Sequence, residues 1–252
     1  MARRRRGTQP QAQGHREDRS ALLASLPLPA EIDPQLLELA LTHRSFSYEN
    51  GEIPHNERLE FLGDSVLGLA ATEHLFAAYP EAAEGTLARR RAAVVSMRAL
   101  AHLASLHNLG AYIRLGRGED LSGGRERPSI LADTVEAVIG AVHLSLGFEQ
   151  STRFVLDLLA PIINNDEFLR AEYDYKTRLQ EIAAEYQLVP RYDIEDLSAD
   201  GVSRFTASAT VPGHVTGRGE GSSKKDAERE AARHAVLAYF ELHGITFSVF
   251  ED

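Results

Sequence analysis

Near residue 165 the hydrophobic period of this chain changes. From Leu22 to about Asn164, apolar residues recur at helical spacing almost throughout. Beyond that point RYDIEDL, SRFTASATV and HVTGRGEG alternate like strands and end in turn residues. Amphipathic helical stretches, DYKTRLQEIAAEYQ and SSKKDAEREAARHAVLAYFEL, flank those three. A chain of 252 residues can hold two such domains. The expected architecture is multidomain: an all-α domain followed by a smaller α+β domain of order α-β-β-β-α.

Local signals divide the helical part. EIDPQLLELALTHRSF predicts a short helix, a turn and a second helix. Asn56 is the expected N-cap of a long helix that Tyr79-Pro80 stops. Helical spacing continues from Gly85 to His107, and LGRGEDLSGGRERPS follows as a Gly-rich connector. Ser129 is the expected cap of a further helix that Gly147 ends, and FEQSTRFVLDLLAPII forms one more.

The long helix carries an oddity. In NERLEFLGD, the carboxylates Glu57, Glu60 and Asp64 fall within roughly 60° of one another on a helix, opposite Leu59, Leu62 and Val66. ILADTVEAVIG repeats the pattern with Asp133 and Glu136, opposite Leu131, Val135, Val138 and Ile139. Gly140 follows on the acidic side and leaves room for something to approach. A solvated acidic face is the ordinary explanation for one such helix. Two of them could together supply the hard oxygen donors that Mg²⁺ or Mn²⁺ prefers. Spacing alone does not show that the helices face each other.

Composition narrows the chemistry. Cys is absent, which excludes disulfides, cysteine zinc sites and a thiol nucleophile, and suits a reducing cytoplasm. GDSVLG is not a nucleophile elbow, no HExxH occurs, and LGRGED lacks the GK[ST] of a P-loop. His43 and His143 read as polar core residues before ligands. No apolar run is expected to span a membrane, and the N-terminus lacks the apolar core of a signal peptide. Of the net charge of −10, the arm MARRRRGTQPQAQGHREDRS contributes six arginines against two acids, leaving −14 for the remainder. The arm has no apolar periodicity and is expected to be disordered, either solvated or in weak contact with phosphates.

NERLEFLGDSVL resembles the signature of the ribonuclease III family, as do ALTHRSF before it and SGGRERPSILADTVEAVIGA after it. The resemblance spans about residues 20–242. It implies a homodimeric endonuclease whose carboxylates hold Mg²⁺, with Mn²⁺ as a possible substitute, and hydrolyse double-stranded RNA. Glu60, Asp64, Asp133 and Glu136 match the metal-binding acids, and Asp64, Glu136, Glu57 and Glu84 are implied to be catalytic. Glu84, in EGTLARRRA, matches a family acid near the cleavage site. Phe61, beside the acid stripe, is implied to pack across the dimer interface. The implied products carry 5′-phosphate and 3′-hydroxyl ends with short 3′ overhangs. The implied substrates are precursors of ribosomal RNA and of some messenger and transfer RNAs. No membrane and no organic cofactor is implied.

The C-terminal part resembles the double-stranded RNA-binding domain through DYKTRLQE and GRGEGSSKKDAEREAA. Gln180 and Glu181 could present polar groups to 2′-hydroxyls, and Ser223, Lys224 and Lys225 open a helix that can face phosphate. Two departures stand out. LSADGVSRF lacks the Gly-Pro-x-His element that family members commonly carry, and Ser222 replaces the first Lys of the common KSKK element. Weaker RNA affinity is expected, helped by the Arg arm or by the second subunit. The expected boundaries are a basic arm at 1–19, the endonuclease domain at 20–165, a linker at 166–173, the RNA-binding domain at 174–243 and a tail at 244–252. The competing readings are a non-catalytic RNA-binding protein on the same fold, which loss of the acids would have marked, and a metal-dependent phosphatase.

Overall fold

The computed structural model describes Leu22 and residues 25–163, 165, 168–169, 173–199 and 201–245. The basic arm, most of the expected linker and the end of the tail lie outside the described residues. The chain divides into two compact units that meet between residues 169 and 170.

The first unit is helical: α1 (Pro34–Ala40), α2 (Arg44–Glu49), α3 (Glu57–Ala78), α4 (Glu84–Val94), α5 (Met97–Leu106), α6 (Arg117–Leu121) and α7 (Pro128–Ile163). Helix α7 is the centre, with α3, α5 and α1 packed around it. Leu131, Val135, Val138 and Ile139 of α7 and Leu59 and Val66 of α3 are buried, as the stripes predict, whereas Leu62 is only half-buried and Leu67 is buried instead. Gly147 adopts φ 80°, ψ −178°, a conformation open only to glycine, and breaks α7 into two segments.

Several local expectations change. Asn56 occupies the cap position of α3, but its backbone is helical and its side chain bonds no helix N–H. Its main chain does the work instead: the carbonyl accepts from Leu59 and Glu60, and the N–H donates to Thr42 O at 2.9 Å. Ser129 is not a cap, because α7 begins one residue earlier at Pro128, whose missing N–H costs nothing at a first helical position. The Gly85–His107 stretch is two helices, because Ser96 accepts from Ala99 N and starts α5 afresh. The Gly-rich connector contains α6 and a 3₁₀ turn, Gly124–Glu126. Helix α7 is also long and apolar enough to cross a membrane by length and composition, contrary to the expectation. Most of its apolar window is buried inside the protein, as in a core helix.

The second unit is α8 (Tyr175–Glu185), β1 (Arg191–Asp196), β2 (Phe205–Val211), β3 (Val215–Gly221) and α9 (Lys224–Leu242). The strands form an antiparallel sheet of order β1-β2-β3, with Asp193, Ser208 and Arg218 in register. Gly217 and Gly219 face α9, where a β-carbon would come within 2.2 Å of Ala235 N and 2.3 Å of Ala231 N respectively. Helix and strand therefore touch main chain to main chain. Leu179, Ile182, Val211, Val236 and Phe240 fill the core.

Candidate metal centre and RNA-binding face

Two glycines decide where the acid helices cross. A β-carbon on Gly63 would overlap the carbonyl of Glu136, and one on Gly140 would lie 2.3 Å from Leu59 O. Helices α3 and α7 thus meet backbone to backbone beside their acid stripes. The room beside Gly140 is filled by α3 itself and not by a ligand.

That crossing brings Glu60 of α3 together with Asp133 and Glu136 of α7, one carboxylate oxygen of each lying within 4.8 Å of the others. All three are partly buried. Burial pushes the Glu136 carboxyl up to about 7, and the negative charges of Asp64, Asp133 and Glu60 add to the shift. Glu60 is raised by burial and by Asp133, Glu57 and Asp64. Asp133 is raised by burial and by Glu57, with His43 opposing the shift. The charges that shift Glu60 and Glu136 are all negative, so these two repel each other, and His43 opposes the shift only at Asp133.

Asp64 and Glu57 are exposed and reach the cluster through their charge. Glu57 also pairs with Arg44 at 3.4 Å and lies 3.8 Å from His55. Glu84 opens α4 and is not among the three clustered carboxylates. His43 Nδ1 caps α2 by accepting from Ser45 N, and His143 Nδ1 meets Ser151 Oγ at 3.1 Å. Phe61 is 80% exposed on α3, with Leu69 and Phe76 eight and fifteen residues further along the same face.

The helix starts are tied by backbone bonds that the sequence did not announce. Thr42 bridges Arg114 in parallel, with Arg114 N donating to Leu41 O at 2.8 Å and His43 N to Arg114 O at 3.1 Å. Thr42 O also accepts from Asn56 N at the start of α3.

In the second unit, Lys224 and Lys225 are exposed at the first turn of α9, where free N–H groups favour anions. Ser223 caps this helix through Asp226 N and also donates to the Asp226 carboxylate at 2.7 Å, so its hydroxyl is occupied. Gln180 is exposed on α8, while Glu181 accepts from Arg178 at 2.9 Å. The β1–β2 loop lacks a Gly-Pro-x-His element; Ala199 and Val202 form an isolated antiparallel bridge in it, and Val202 is 68% exposed. Among the described residues, the loop places the exposed apolar side chain of Val202 at this bridge and has no aromatic or histidine ring.

The chain matches two family models: Ribonuclease-III-like over residues 33–163, and Double-stranded RNA binding motif over residues 175–239. A curated protein of Leifsonia xyli named Ribonuclease 3 is 54% identical, covering 89% of this chain and 94% of its own length. The crystal structure of the nuclease domain of ribonuclease III from Campylobacter jejuni superposes with a TM-score of 0.53 at 42% identity, over 58% of this chain and 96% of that one. A second structure of that domain, at 44% identity and TM-score 0.52, covers 56% of this chain and 95% of its own. It is described as flexible in a region involved in dimer formation.

Proposed function

The chain belongs to the ribonuclease III family, and from that premise we propose that it is an endoribonuclease that hydrolyses double-stranded RNA at the acid cluster on α3 and α7. The observation that carries this reading is the convergence of Glu60, Asp133 and Glu136 within 4.8 Å. A non-catalytic RNA-binding protein would have no need to keep three mutually repelling, partly buried carboxylates together.

The donor set fits a hard divalent cation. It offers only carboxylate oxygens, and among the described residues the charges that shift Glu60 and Glu136 are all negative. Glu60, Asp64, Asp133 and Glu136 would hold Mg²⁺, or Mn²⁺ in its place. When bound, the ion supplies Lewis acidity, lowering the pKa of water and offsetting charge at the scissile phosphate. The protein's part is to keep the carboxylates converged and, in the absence of cation, to repel phosphate. Glu136, pushed up to about 7, would be only partly ionised at neutral pH in the cation-free protein, and it is one of the carboxylates that would hold the ion. Glu57 and Glu84 are assigned to the neighbourhood of the scissile phosphate, Glu84 on its motif alone.

Lys224 and Lys225, with Gln180 on α8, form the duplex-facing surface of the second unit. Ser223 serves that surface by fixing the helix start, and Glu181 serves it through Arg178. The outer sheet face mixes Asp193, Glu195 and Glu220 with Arg191 and Arg218, and Glu220 is paired with Arg204 at 2.7 Å. The exposed stripe of Phe61, Leu69 and Phe76 fits a homodimer with one cleavage centre per subunit. Each centre would cut one strand, leaving 5′-phosphate and 3′-hydroxyl ends with short 3′ overhangs. Cytoplasmic precursors of ribosomal RNA, and of some messenger and transfer RNAs, are the proposed substrates.

A long RNA duplex incubated with the protein, with Mg²⁺ and with chelator, tests the reading. Metal-dependent fragments with 5′-phosphate ends are expected. A duplex left intact under all divalent cations would overturn it.

A further inference from the structure

Arg125 lies in the connector before α7, three residues ahead of Pro128. Its side chain is fully engaged. Nη1 donates to the carbonyls of Gly110 at 3.0 Å, Ala111 at 3.3 Å and Ile113 at 3.0 Å. The other edge of the guanidinium makes a two-point pair with Asp120, Nε to Oδ1 at 2.7 Å and Nη2 to Oδ2 at 3.1 Å. The backbone is equally close there, since a β-carbon on Gly110 would lie 2.1 Å from Arg125 O. The segment that Arg125 grips continues at once into Arg114, which bridges Thr42, which in turn holds Asn56 N at the start of α3. Hydrogen bonds and short stretches of chain between them therefore link the segment just before α7, the helix of Asp133 and Glu136, to the start of α3, with Glu57 and Glu60. The glycine crossing fixes how closely the helices approach. It does not fix how far each slides or turns at its N-terminal end.

Building on the metal-site reading above, we infer that Arg125 is a positioning residue that sets the spacing of Asp133 and Glu136 against Glu60. The geometry suits Arg alone. A lysine is one point charge on a flexible stem and cannot serve three carbonyls and both oxygens of a carboxylate. Arg127 is the natural contrast: its side chain bonds Glu119 and Ser122, inside the connector, and does not reach the 110–113 segment.

The test is direct Mn²⁺ binding by the full-length protein without RNA, followed by calorimetry and by the EPR signal of free Mn²⁺. Melting temperature is recorded for every variant. Groups that orient metal ligands typically change affinity by about 10–100-fold, so R125Q and R125K should each weaken Mn²⁺ binding by about tenfold. D120N, the milder variant, should shift it in the same direction. R127Q should bind like wild type. In cleavage assays the Arg125 variants should need correspondingly more Mg²⁺ for half-activation, with KM for duplex unchanged. A role confined to folding would lower the melting temperature and the active fraction but leave the Mn²⁺ midpoint of the folded protein in place. Wild-type affinity in folded R125K and D120N would overturn the assignment, as would an equal shift in R127Q. E136Q separates the two levels. If it leaves wild-type Mn²⁺ binding intact, the metal site is elsewhere and both readings fall. If it abolishes binding while the Arg125 variants match wild type, only the role of Arg125 falls.

Discussion

The carbonyl oxygen of Glu136 lies 1.7 Å from the point that a β-carbon on Gly63 would occupy. The residue whose carboxylate belongs to the acid cluster thus also supplies, through its main chain, the surface against which the partner helix rests. Gly140, one turn on, repeats the contact against Leu59 O. The acids converge because the helices beneath them have no side chains at the crossing.

Adding a methyl group at that crossing should separate the helices. Gly63→Ala and Gly140→Ala should each lower stability by about 1–3 kcal/mol, the usual range for overpacking, and Gly63→Ala should be the worse. Denaturant unfolding measures the loss. Mn²⁺ affinity should fall alongside it, because the carboxylates move with the helices. A variant with native stability and native affinity would refute the crossing.

Stability of the cation-free protein should fall as pH rises. The folded-state values of Glu136, Glu60 and Asp133 are all raised above their ordinary values, Glu136 from 4.5 to about 7. Between those two pH values the folded protein binds more protons at Glu136 than the unfolded chain does. The destabilisation is therefore absent below about pH 4.5 and fully present above about pH 7. Allowing for solvent screening, Glu136 contributes on the order of 1–2 kcal/mol. Thermal melts in chelator should show the decline, E136Q should flatten it, and Ca²⁺ or Mg²⁺ should restore stability at pH 8.

E136Q should also separate cutting from holding. Loss of an outer partner of a metal ligand costs about 10–100-fold, so loss of a ligand should reduce cleavage by at least as much. Duplex binding in a gel shift with Ca²⁺ should persist, because Lys224 and Lys225 lie in the other unit. Near-normal turnover by this variant would remove Glu136 from the centre.

Phe61→Ala should weaken self-association. The side chain is 80% exposed in the single chain, and burying a Phe contributes roughly 1.5–3 kcal/mol. Sedimentation at several concentrations should show the dimer dissociating at roughly 10–100-fold higher protein concentration. An unchanged dimer would place the interface elsewhere.

Salt dependence tests the second unit. The β1–β2 loop, which has no histidine or aromatic residue, supplies no hydrogen bond from a ring, so binding should lean on phosphates. K224A/K225A should flatten the log–log salt slope by about two and weaken all duplexes alike. Deleting residues 2–19 should flatten it further if the Arg arm compensates. A slope unmoved by the Lys pair would exclude the start of α9 as the phosphate contact.

Much of this was legible in the sequence, and the illegible parts share a cause. Periodicity placed the acid stripes and the two-part architecture, and Gly147 marked the break in α7. The convergence of Glu60 with Asp133 and Glu136 was not legible, because a period describes one helix and says nothing of its neighbour. Gly140 read as space for a ligand, since a missing side chain looks the same whether a helix or a solute fills the gap. Asn56 and Ser129 read as caps from their side chains, but Asn56 serves through its backbone, and α7 begins at Pro128, ahead of Ser129. Nothing in the sequence of the Gly-rich connector singles out Arg125, and only the fold supplies its three carbonyls.

The alternate glycines of β3 bear on how the second unit tolerates change. Gly217 and Gly219 leave nothing but main chain between the strand and α9. Elsewhere in this core a helix is held off by side chains that can swell, shrink or change rotamer. At β3 the separation is a fixed length, insensitive to repacking and to the loosening of side chains on warming. The start of α9, with Lys224 and Lys225, is therefore gauged from the sheet by the peptide chain itself. Drift in the hydrophobic core can alter how firmly this unit folds while leaving the two ammonium groups at the same height above the strand.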